Sequence, residues 1–159
     1  MFKEITFEAY LQLFTVAKNL DKKIEINVST PENEEGKRYF KSLEGCSALS
    51  SNGELCGLFR FKKGVEKVAK LHQKKRIELG GYWLNCYKGK LNEIYKKNGF
   101  FEISALNFNP EFAPKDWKKD NVLKNQPLIL FMSLYPSNEF QISRDWFNAE
   151  LICKNTKFD

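Results

Sequence analysis

A strand-helix-strand pattern between residues 80 and 100 constrains the fold more than any other feature of this sequence. Gly80-Gly81 precedes the apolar run 82–87, which predicts a strand. The amphipathic run 91–97 predicts a short helix, and Asn98-Gly99 ends it, because glycine readily adopts the left-handed conformation found at helix C-termini. Phe100 then begins another strand. A chain that alternates strands and helices in this way predicts a mixed sheet covered by helices.

The rest of the chain continues the alternation. Apolar spacing of three and four predicts helices at 6–20, 65–79 and 144–152, with Thr6 and Ser143 as N-caps. Residues 31–35 begin a loop and a second short helix, which runs through Tyr39, Phe40 and Leu43. Alternating or continuous apolar runs predict strands at 23–29, 46–50, 55–61, 101–108 and 128–134. Asn52-Gly53 predicts a tight turn that joins 46–50 and 55–61 as a hairpin. The segment 109–127 is long enough to indicate a functional loop or lid.

Length and composition indicate one globular domain, 1–159. The 159 residues suit a single core, and 42% apolar with 14% aromatic residues exceeds what a disordered chain carries. No apolar run approaches the roughly 20 residues of a membrane span, and the N-terminus lacks the plan of a signal peptide. We therefore expect a cytoplasmic protein with no membrane association.

Cysteine, histidine and charge exclude several function classes. The four cysteines form no Cys-x-x-Cys pair, so we expect buried reduced thiols, no disulfides and no metal site. His72 is the only histidine, which excludes a multi-histidine metal site, and we expect it at the surface or its boundary. The net charge of +6 favours polyanions, but the lysines alternate with acids as on a solvated surface. We expect no nucleic-acid partner. Phosphate-loop and dinucleotide fingerprints are absent from the sequence.

Three motifs together resemble the GCN5-related N-acetyltransferase (GNAT) superfamily, and in particular a phage- or prophage-encoded branch of it. They are Gly80-Gly81-x-x-Leu84, Tyr95-x-x-x-Gly99-Phe100 and Phe112-Ala113-Pro114-x-x-Trp117. The resemblance covers about half of the chain, from Gly53 to Tyr135. It implies an α/β (α+β) fold with a mixed, mostly antiparallel central sheet and helices on both faces.

The resemblance also implies where acetyl-CoA binds. The strand 55–61 would pair with the pantetheine arm through Leu58, Phe59 and Arg60, and the next loop would cradle the pyrophosphate at a helix N-terminus. That loop consists of Lys62, Lys63, Gly64 and Val65. The family's phosphate signature keeps only its first glycine here. Phe61 and Glu66 occupy the other two positions, and a carboxylate repels a pyrophosphate, so a solvated strand end explains the loop equally well.

The same resemblance implies catalytic residues. Tyr95 corresponds to the general acid that protonates the departing thiolate, although its ring could equally belong to the core. Glu54 lies nearest the strand as a general base, and Glu102 is the alternative. Lys88 stands where family members often carry an asparagine that helps to place the cofactor. Asn85 could substitute for it or be a strand amide that the backbone satisfies.

Two functions of different classes follow, and a third is weaker. The first is acetyl transfer from acetyl-CoA to a small-molecule or protein amine. The second is a catalytically inactive GNAT-shaped protein that binds a phage or host partner, indicated by Phe61, Glu66 and the aromatic residues Trp117, Trp146 and Phe147. The third is nucleic-acid binding through the basic residues of 62–76.

Overall fold

The protein forms two compact units, Met1–Gly81 and Tyr82–Asp159, each with its own four-stranded sheet. The computed structural model describes residues 1–21, 24, 28, 31–61, 65–112 and 127–158. Most of the strand predicted at 23–29 and most of the loop at 109–127 lie outside the described residues. The predicted fold class, mixed α/β with mostly antiparallel strands, is confirmed.

The first unit is an antiparallel sheet in the order β1-β2-β3-β4 with two described helices. Its elements are β1 (Lys3–Ile5), α1 (Phe7–Leu20), β2 (Arg38–Lys41), β3 (Gly45–Leu49), β4 (Leu55–Arg60) and α2 (Val65–Glu78). The hydroxyl of Thr6 caps α1 by accepting a hydrogen bond from the Ala9 amide at 3.1 Å, as predicted. The predicted hairpin is confirmed as β3 and β4.

Aromatic side chains form the core of the first unit. Tyr10 and Phe14 lie four residues apart on α1, so both reach the sheet from one helix face. Ring centroids lie 4.9 Å apart for Tyr10 and Tyr39, 5.4 Å for Tyr10 and Phe59, and 5.6 Å for Phe14 and Phe59. These edge and tilted contacts are the arrangements that aromatic pairs prefer, and they fix α1 against β2 and β4.

The second unit is a sheet in the order β5-β7-β6-β8. Its elements are β5 (Trp83–Tyr87), α3 (Lys90–Lys97), β6 (Phe101–Leu106), β7 (Ile129–Ser133), β8 (Gln141–Ser143) and α4 (Trp146–Asn155), with single 3₁₀ turns at Pro110–Phe112 and Thr156–Phe158. β8 pairs with β6 in parallel, and the other pairs are antiparallel. Every residue of β7 is buried, which confirms the central strand predicted from its continuous apolar run.

One helix prediction is wrong, and the predicted N-cap of another helix is wrong. The segment through Tyr39 and Phe40 is the strand β2, because both neighbouring strands offer it backbone partners and both side chains are buried in the sheet. α4 begins at Trp146, and Asp145 caps it in place of Ser143, since the Asp145 carboxylate accepts from the Asn148 amide at 2.8 Å. Ser143 is the last residue of β8. In the described part of the chain, every helix is too short or too polar to cross a bilayer.

Candidate functional site

The predicted site residues fall on both units. Leu58, Phe59 and Arg60 lie on β4, Glu54 immediately precedes it, and Val65 is the first residue of α2. In the second unit, Asn85 is half-buried on β5 and Tyr95 lies in α3. Lys62, Lys63 and Gly64 lie outside the described residues.

A β-bulge interrupts β4 in the stretch that is predicted to pair with the pantetheine arm. Cys46 pairs with Phe59 and Ala48 with Cys56, so Gly57 and Leu58 together oppose the single residue Ser47. Gly57 has φ of 62°, the left-handed region in which glycine avoids the penalty of a side chain. A Cβ on Gly57 would overlap the Tyr10 hydroxyl and lie 3.4 Å from the Ala48 Cβ. The bulge therefore requires glycine for its backbone conformation and for the close approach of Tyr10.

Side chains from two helices hydrogen-bond to the carbonyls of the bulge. The Tyr10 hydroxyl on α1 donates to the Gly57 carbonyl at 2.6 Å. The Arg76 guanidinium on α2 donates to the Cys56 carbonyl at 3.0 Å and to the Ala48 carbonyl at 2.7 Å. Its Nε also donates to the His72 carbonyl at 3.2 Å. Because Arg76 is only 2% exposed, it joins β3 to β4 inside the unit and cannot contribute to a basic surface for nucleic acid.

His72 is fully buried, which corrects its expected position at the surface. Its Nδ1 lies 2.5 Å from the Ser47 hydroxyl and its Nε2 lies 2.9 Å from the Ser42 hydroxyl. Burial, and secondarily the positive charge of Arg76, lowers the pKa of His72 from 6.5 to about 3. The imidazole is therefore neutral at neutral pH. It acts as a hydrogen-bonded core residue behind the bulge.

The sequence contains a signal for the burial of His72 and Arg76. Val68, His72 and Arg76 recur every four residues along α2, so they share the helix face that Val68 marks as apolar. The exposed lysines Lys67 and Lys74 lie on other positions of the helix. Because histidine is polar, His72 was predicted near the surface. The four-residue spacing of His72 and Arg76 from Val68 instead indicates the buried face of α2.

The Tyr95-x-x-x-Gly99-Phe100 motif forms a Schellman cap at the end of α3. The Phe100 amide donates to the Tyr95 carbonyl at 3.1 Å, and the Gly99 amide donates to the Lys96 carbonyl at 3.1 Å. Gly99 has φ of 98°, as the cap requires. The Tyr95 and Phe100 rings lie 6.2 Å apart, which is the apolar contact that usually accompanies this cap. The spacing of the motif thus has a structural cause, and Tyr95 is only 8% exposed.

An amide-carboxylate pair links the start of α3 to β6. The Asn92 side chain accepts from the Gly89 amide at 2.7 Å and donates to the Glu102 carboxylate at 2.7 Å. Lys96 lies 4.0 Å from the same carboxylate. Glu102, the alternative base, is thus held in a hydrogen bond rather than simply presented to water. Sequence reasoning missed Asn92, whose place three residues after Gly89 fits a side chain that caps the helix start.

Glu54 lies at the end of the β3–β4 hairpin. Its carbonyl accepts from the Ser50 amide at 2.9 Å, and its own amide donates to the Asn52 side chain at 3.1 Å. Glu54 and Gly57 are three positions apart in the sequence, about 10 Å along an extended strand. The carboxylate is therefore anchored through its backbone at a turn, one strand segment away from the bulge.

Solved structures of N-acetyltransferases share this fold. The ribosomal-protein-alanine N-acetyltransferase from Brucella melitensis is 12% identical with a TM-score of 0.52, and the alignment covers 83% of this chain and 97% of that one. The aminoglycoside 6'-N-acetyltransferase from Enterococcus faecium is 11% identical, with a TM-score of 0.51 and coverage of 87% and 99%. A Bacillus subtilis acetyltransferase in complex with CoA is 14% identical, with a TM-score of 0.51 and coverage of 83% and 94%. The fold is GNAT-like.

Sequence comparison gives a different set of proteins. No protein-family model matches the chain. Among curated proteins, the chain is similar to altered inheritance of mitochondria protein 9 from Candida dubliniensis (29% identity over 117 residues) and from Candida albicans (30% over 118 residues). These matches cover 72% of this chain but only 19% of the fungal proteins. The chain thus spans about a fifth of the length of the curated relatives it matches.

Proposed function

We propose that this protein is an acyl-CoA-dependent N-acetyltransferase, which transfers an acetyl group from acetyl-CoA to the amine of a small molecule or a protein. The observation that carries the proposal is the glycine-bearing bulge of β4 in a chain with the GNAT-like fold. A bulge re-aims the backbone groups of a strand, and it is over-represented beside active sites. Since the likeness covers 83% of this chain and 97% of the Brucella melitensis enzyme, we also propose that residues 1–159 act as one domain.

In this proposal the amine nitrogen attacks the thioester carbonyl, the C–N bond forms, and the C–S bond breaks. The backbone groups of Leu58, Phe59 and Arg60 that face away from β3 bind the acyl carbonyl and the pantetheine arm. The CoA thiolate takes its proton from the Tyr95 hydroxyl. Glu54 accepts the proton that the amine loses, and Glu102 is the alternative acceptor.

The phosphates of acetyl-CoA are assigned to the segment that joins β4 and α2. Lys62, Lys63, Gly64 and Val65 are proposed to bind the phosphates, because lysines carry positive charge and the N-terminus of a helix favours anions. Asn85 on β5 is assigned to the placement of the cofactor. These assignments rest on the resemblance and on the start of α2 at Val65.

Binding of acetyl-CoA tests the proposal directly. A ligand that binds only the native state raises the unfolding temperature, and at about 100 times its Kd it adds roughly 2.7 kcal/mol to the free energy of unfolding. We expect heat on titration with acetyl-CoA and a higher melting temperature at millimolar ligand. The absence of both heat and thermal stabilisation at that concentration would exclude the transferase.

Tyr95→Phe tests the role of the general acid. Loss of a general acid slows the chemical step by about 10²–10⁴-fold, so we expect kcat to fall by at least about a hundredfold with acetyl-CoA affinity unchanged. Tyr135→Phe is the matched control, because Tyr135 is a 40% exposed tyrosine of the same unit. Equal activity of the two variants would leave Tyr95 with its capping role alone.

A second candidate function is supported by exposed aromatic residues of the second unit. Phe147 is 67% exposed and Phe158 is 78% exposed, while Trp146 is half-buried with its ring 5.1 Å from that of Phe131. Exposed apolar groups of this size are common at interaction sites. On this basis we propose, as the alternative, a binding protein that lacks the acetyltransferase activity. Acetyl-CoA turnover that is unaffected by Phe147→Ser would count against it.

A phage or prophage origin also stays a proposal. Its support is the order of the three motifs that end at Leu84, Phe100 and Trp117. The curated proteins to which the chain is similar are fungal and carry a mitochondrial name. Genes that flank the coding sequence would decide between these sources.

A further inference from the structure

Two successive peptide groups of the bulge have their carbonyls bound by side chains from outside the sheet. Arg76 donates to the Cys56 carbonyl at 3.0 Å, and Tyr10 donates to the Gly57 carbonyl at 2.6 Å. The donors come from α2 and α1, the two helices described for this unit. Both are buried, with Tyr10 and Arg76 each 2% exposed, so water does not compete for these bonds.

A carbonyl and the following amide belong to one peptide group, so a donor on the carbonyl affects the amide. A hydrogen bond to the carbonyl polarises the group, and linked bonds strengthen one another by about 10–30% in condensed-phase estimates. Arg76 therefore polarises the peptide whose N–H belongs to Gly57. Tyr10 polarises the next peptide, whose N–H belongs to Leu58. A charged donor has the larger effect, because charge-assisted hydrogen bonds are roughly twice as strong as neutral ones.

Both donors keep their protons over the pH range of enzyme assays. Desolvation, with smaller contributions from neighbouring thiols, raises the pKa of Tyr10 well above 10, so its hydroxyl remains a donor across the range of enzyme assays. An arginine guanidinium stays charged under all such conditions. Neither contact is switched off between acidic and alkaline pH.

We propose that Tyr10 and Arg76 are positioning residues, which hold the β4 bulge in place and strengthen the Gly57 and Leu58 amides as donors to the carbonyl oxygen of the acyl thioester. This inference rests on the proposed function and deepens it. Neither side chain is assigned a contact with the substrate. Their effect is greatest in the transition state, where that oxygen carries most negative charge.

Tyr10→Phe is the decisive variant, because it removes one hydroxyl and keeps the ring that packs on Tyr39 and Phe59. Tyr39→Phe is its matched control. Tyr39 is 3% exposed in the same unit, and its hydroxyl also donates to a backbone carbonyl, that of Glu32 at 3.0 Å. The two variants lose equivalent bonds, one at the bulge and one in a loop.

The first measurement needs no ligand. In amide NMR spectra of the free protein, Tyr10→Phe is expected to move the Leu58 amide proton upfield, because its peptide group loses polarisation, and Tyr39→Phe is expected to leave it unchanged. Arg76→Lys is expected to move the Gly57 amide in the same sense. If Arg76→Lys does not fold, Tyr10→Phe decides alone. A Leu58 resonance that is the same in both tyrosine variants overturns the inference, whether or not acetyl-CoA binds.

The second measurement is steady-state kinetics with acetyl-CoA. A net hydrogen-bond contribution of about 1 kcal/mol corresponds to about a fivefold change, so we expect Tyr10→Phe to lower kcat by about fivefold with little change in KM. Tyr39→Phe should leave both parameters at the wild-type values. A wild-type protein that does not bind acetyl-CoA removes the proposed function. A wild-type protein that is active, with equal kcat in the two variants, removes only this inference.

Discussion

The two units each contain a β-bulge. At one bulge the strand accepts hydrogen bonds from helices, and at the other the strand donates a hydrogen bond to a helix. At the β3–β4 bulge, Tyr10 and Arg76 on helices donate to strand carbonyls. At the β6–β7 bulge, Ile103 is the additional residue between Glu102 and Ser104. There the Ser104 hydroxyl on the strand donates to the Ala149 carbonyl of α4 at 2.7 Å.

The direction of donation shows which element the hydrogen bonds hold in place at each bulge. In the first unit the helices fix the backbone of β4, and a buried imidazole, Ser47 and a buried guanidinium surround it. In the second unit the strand fixes a helix, since Ser104 holds α4 beside the sheet. The neighbouring residues Ile103 and Phe131 of the sheet and Ala149 of α4 are fully buried and apolar. Polar groups are costly to bury unless they are paired, so their concentration behind one bulge indicates a constraint on that backbone.

The largest expected effect is acid destabilisation of the first unit through His72. Its pKa is about 3 in the folded protein, against an ordinary value of 6.5 for a solvated imidazole. Above pH 6.5 the imidazole is neutral in both the folded and the unfolded chain, and pH has no effect through it. As pH falls from 6.5 towards 3, the unfolded chain binds a proton that the folded protein excludes. Stability is therefore lost at about 1.4 kcal/mol per pH unit, or roughly 4–5 kcal/mol in all.

Because His72 is the only histidine in the chain, its NMR signal can be followed without ambiguity. We expect no titration of the imidazole between pH 8 and about 4, as long as the protein stays folded. Urea denaturation at several pH values should give a steeper loss of stability below pH 6.5 for the wild type than for His72→Gln. An imidazole midpoint near 6.5 would contradict the buried environment.

Local pattern predicted most of the fold, and it failed where pairing between strands decides the structure. α1 with its Thr6 cap, the hairpin, α3 and β7 all carry signals within a few residues. β2 was predicted as a helix because its aromatic pair fits either period, and only the partners β1 and β3 make it a strand. β1 and β8 are three residues long, too short for any periodicity to appear.

The sequence predicts which strand carries the candidate site, but not which side chains contact that strand. Leu58 and Phe59 were assigned to the correct strand, yet the bulge at Gly57 and Leu58 depends on α1 and α2, which lie elsewhere in the sequence. Tyr10 has the spacing of an ordinary core residue, and nothing local indicates that its hydroxyl reaches Gly57, 47 positions away. Buried polar partners far apart in sequence are set by packing, which one sequence does not display.

The next largest effect is expected for Gly57→Ala. The residue has φ of 62°, and a Cβ would overlap the Tyr10 hydroxyl. A left-handed non-glycine residue costs about 1–2 kcal/mol and overpacking about 1–3 kcal/mol, so we expect a loss of about 3 kcal/mol in urea denaturation. Gly80→Ala is the control, since Gly80 has φ of 102° with no atom within 4 Å of the added Cβ.

A double mutant separates the two parts of the Gly57 effect. Tyr10→Phe removes the hydroxyl that the new methyl group meets, so Gly57→Ala should cost less in that background than in the wild type. The remaining loss should match that of Gly80→Ala. Additive losses would mean that the Tyr10 hydroxyl does not approach the bulge closely.

Ser47→Ala is expected to have an intermediate effect. The substitution leaves the buried Nδ1 of His72 without the hydroxyl that now lies 2.5 Å away. An unsatisfied buried polar atom costs about 1–3 kcal/mol, so we expect a loss of about 2 kcal/mol in the free energy of unfolding. The variant should also change the chemical shifts of His72 and of the Gly57 and Leu58 amides, which oppose Ser47 across the strands. Unchanged shifts of the Gly57 and Leu58 amides would mean that the hydrogen bonds of His72 do not influence the bulge.

Ser104→Ala is the matched substitution at the other bulge, and its effect should be the smallest. The hydroxyl donates to the Ala149 carbonyl, but Ala149 lies inside α4, where its carbonyl also faces the amide four residues later. Removal of Ser104 therefore leaves no acceptor wholly unsatisfied, and we expect a loss of only about 0.5–1 kcal/mol. Because the Ser104 bond fixes a helix rather than a strand, acetyl-CoA kinetics should stay at the wild-type values. A loss as large as that of Ser47→Ala would mean that the two bulges are equally dependent on their hydrogen bonds, and that the direction of donation does not distinguish them.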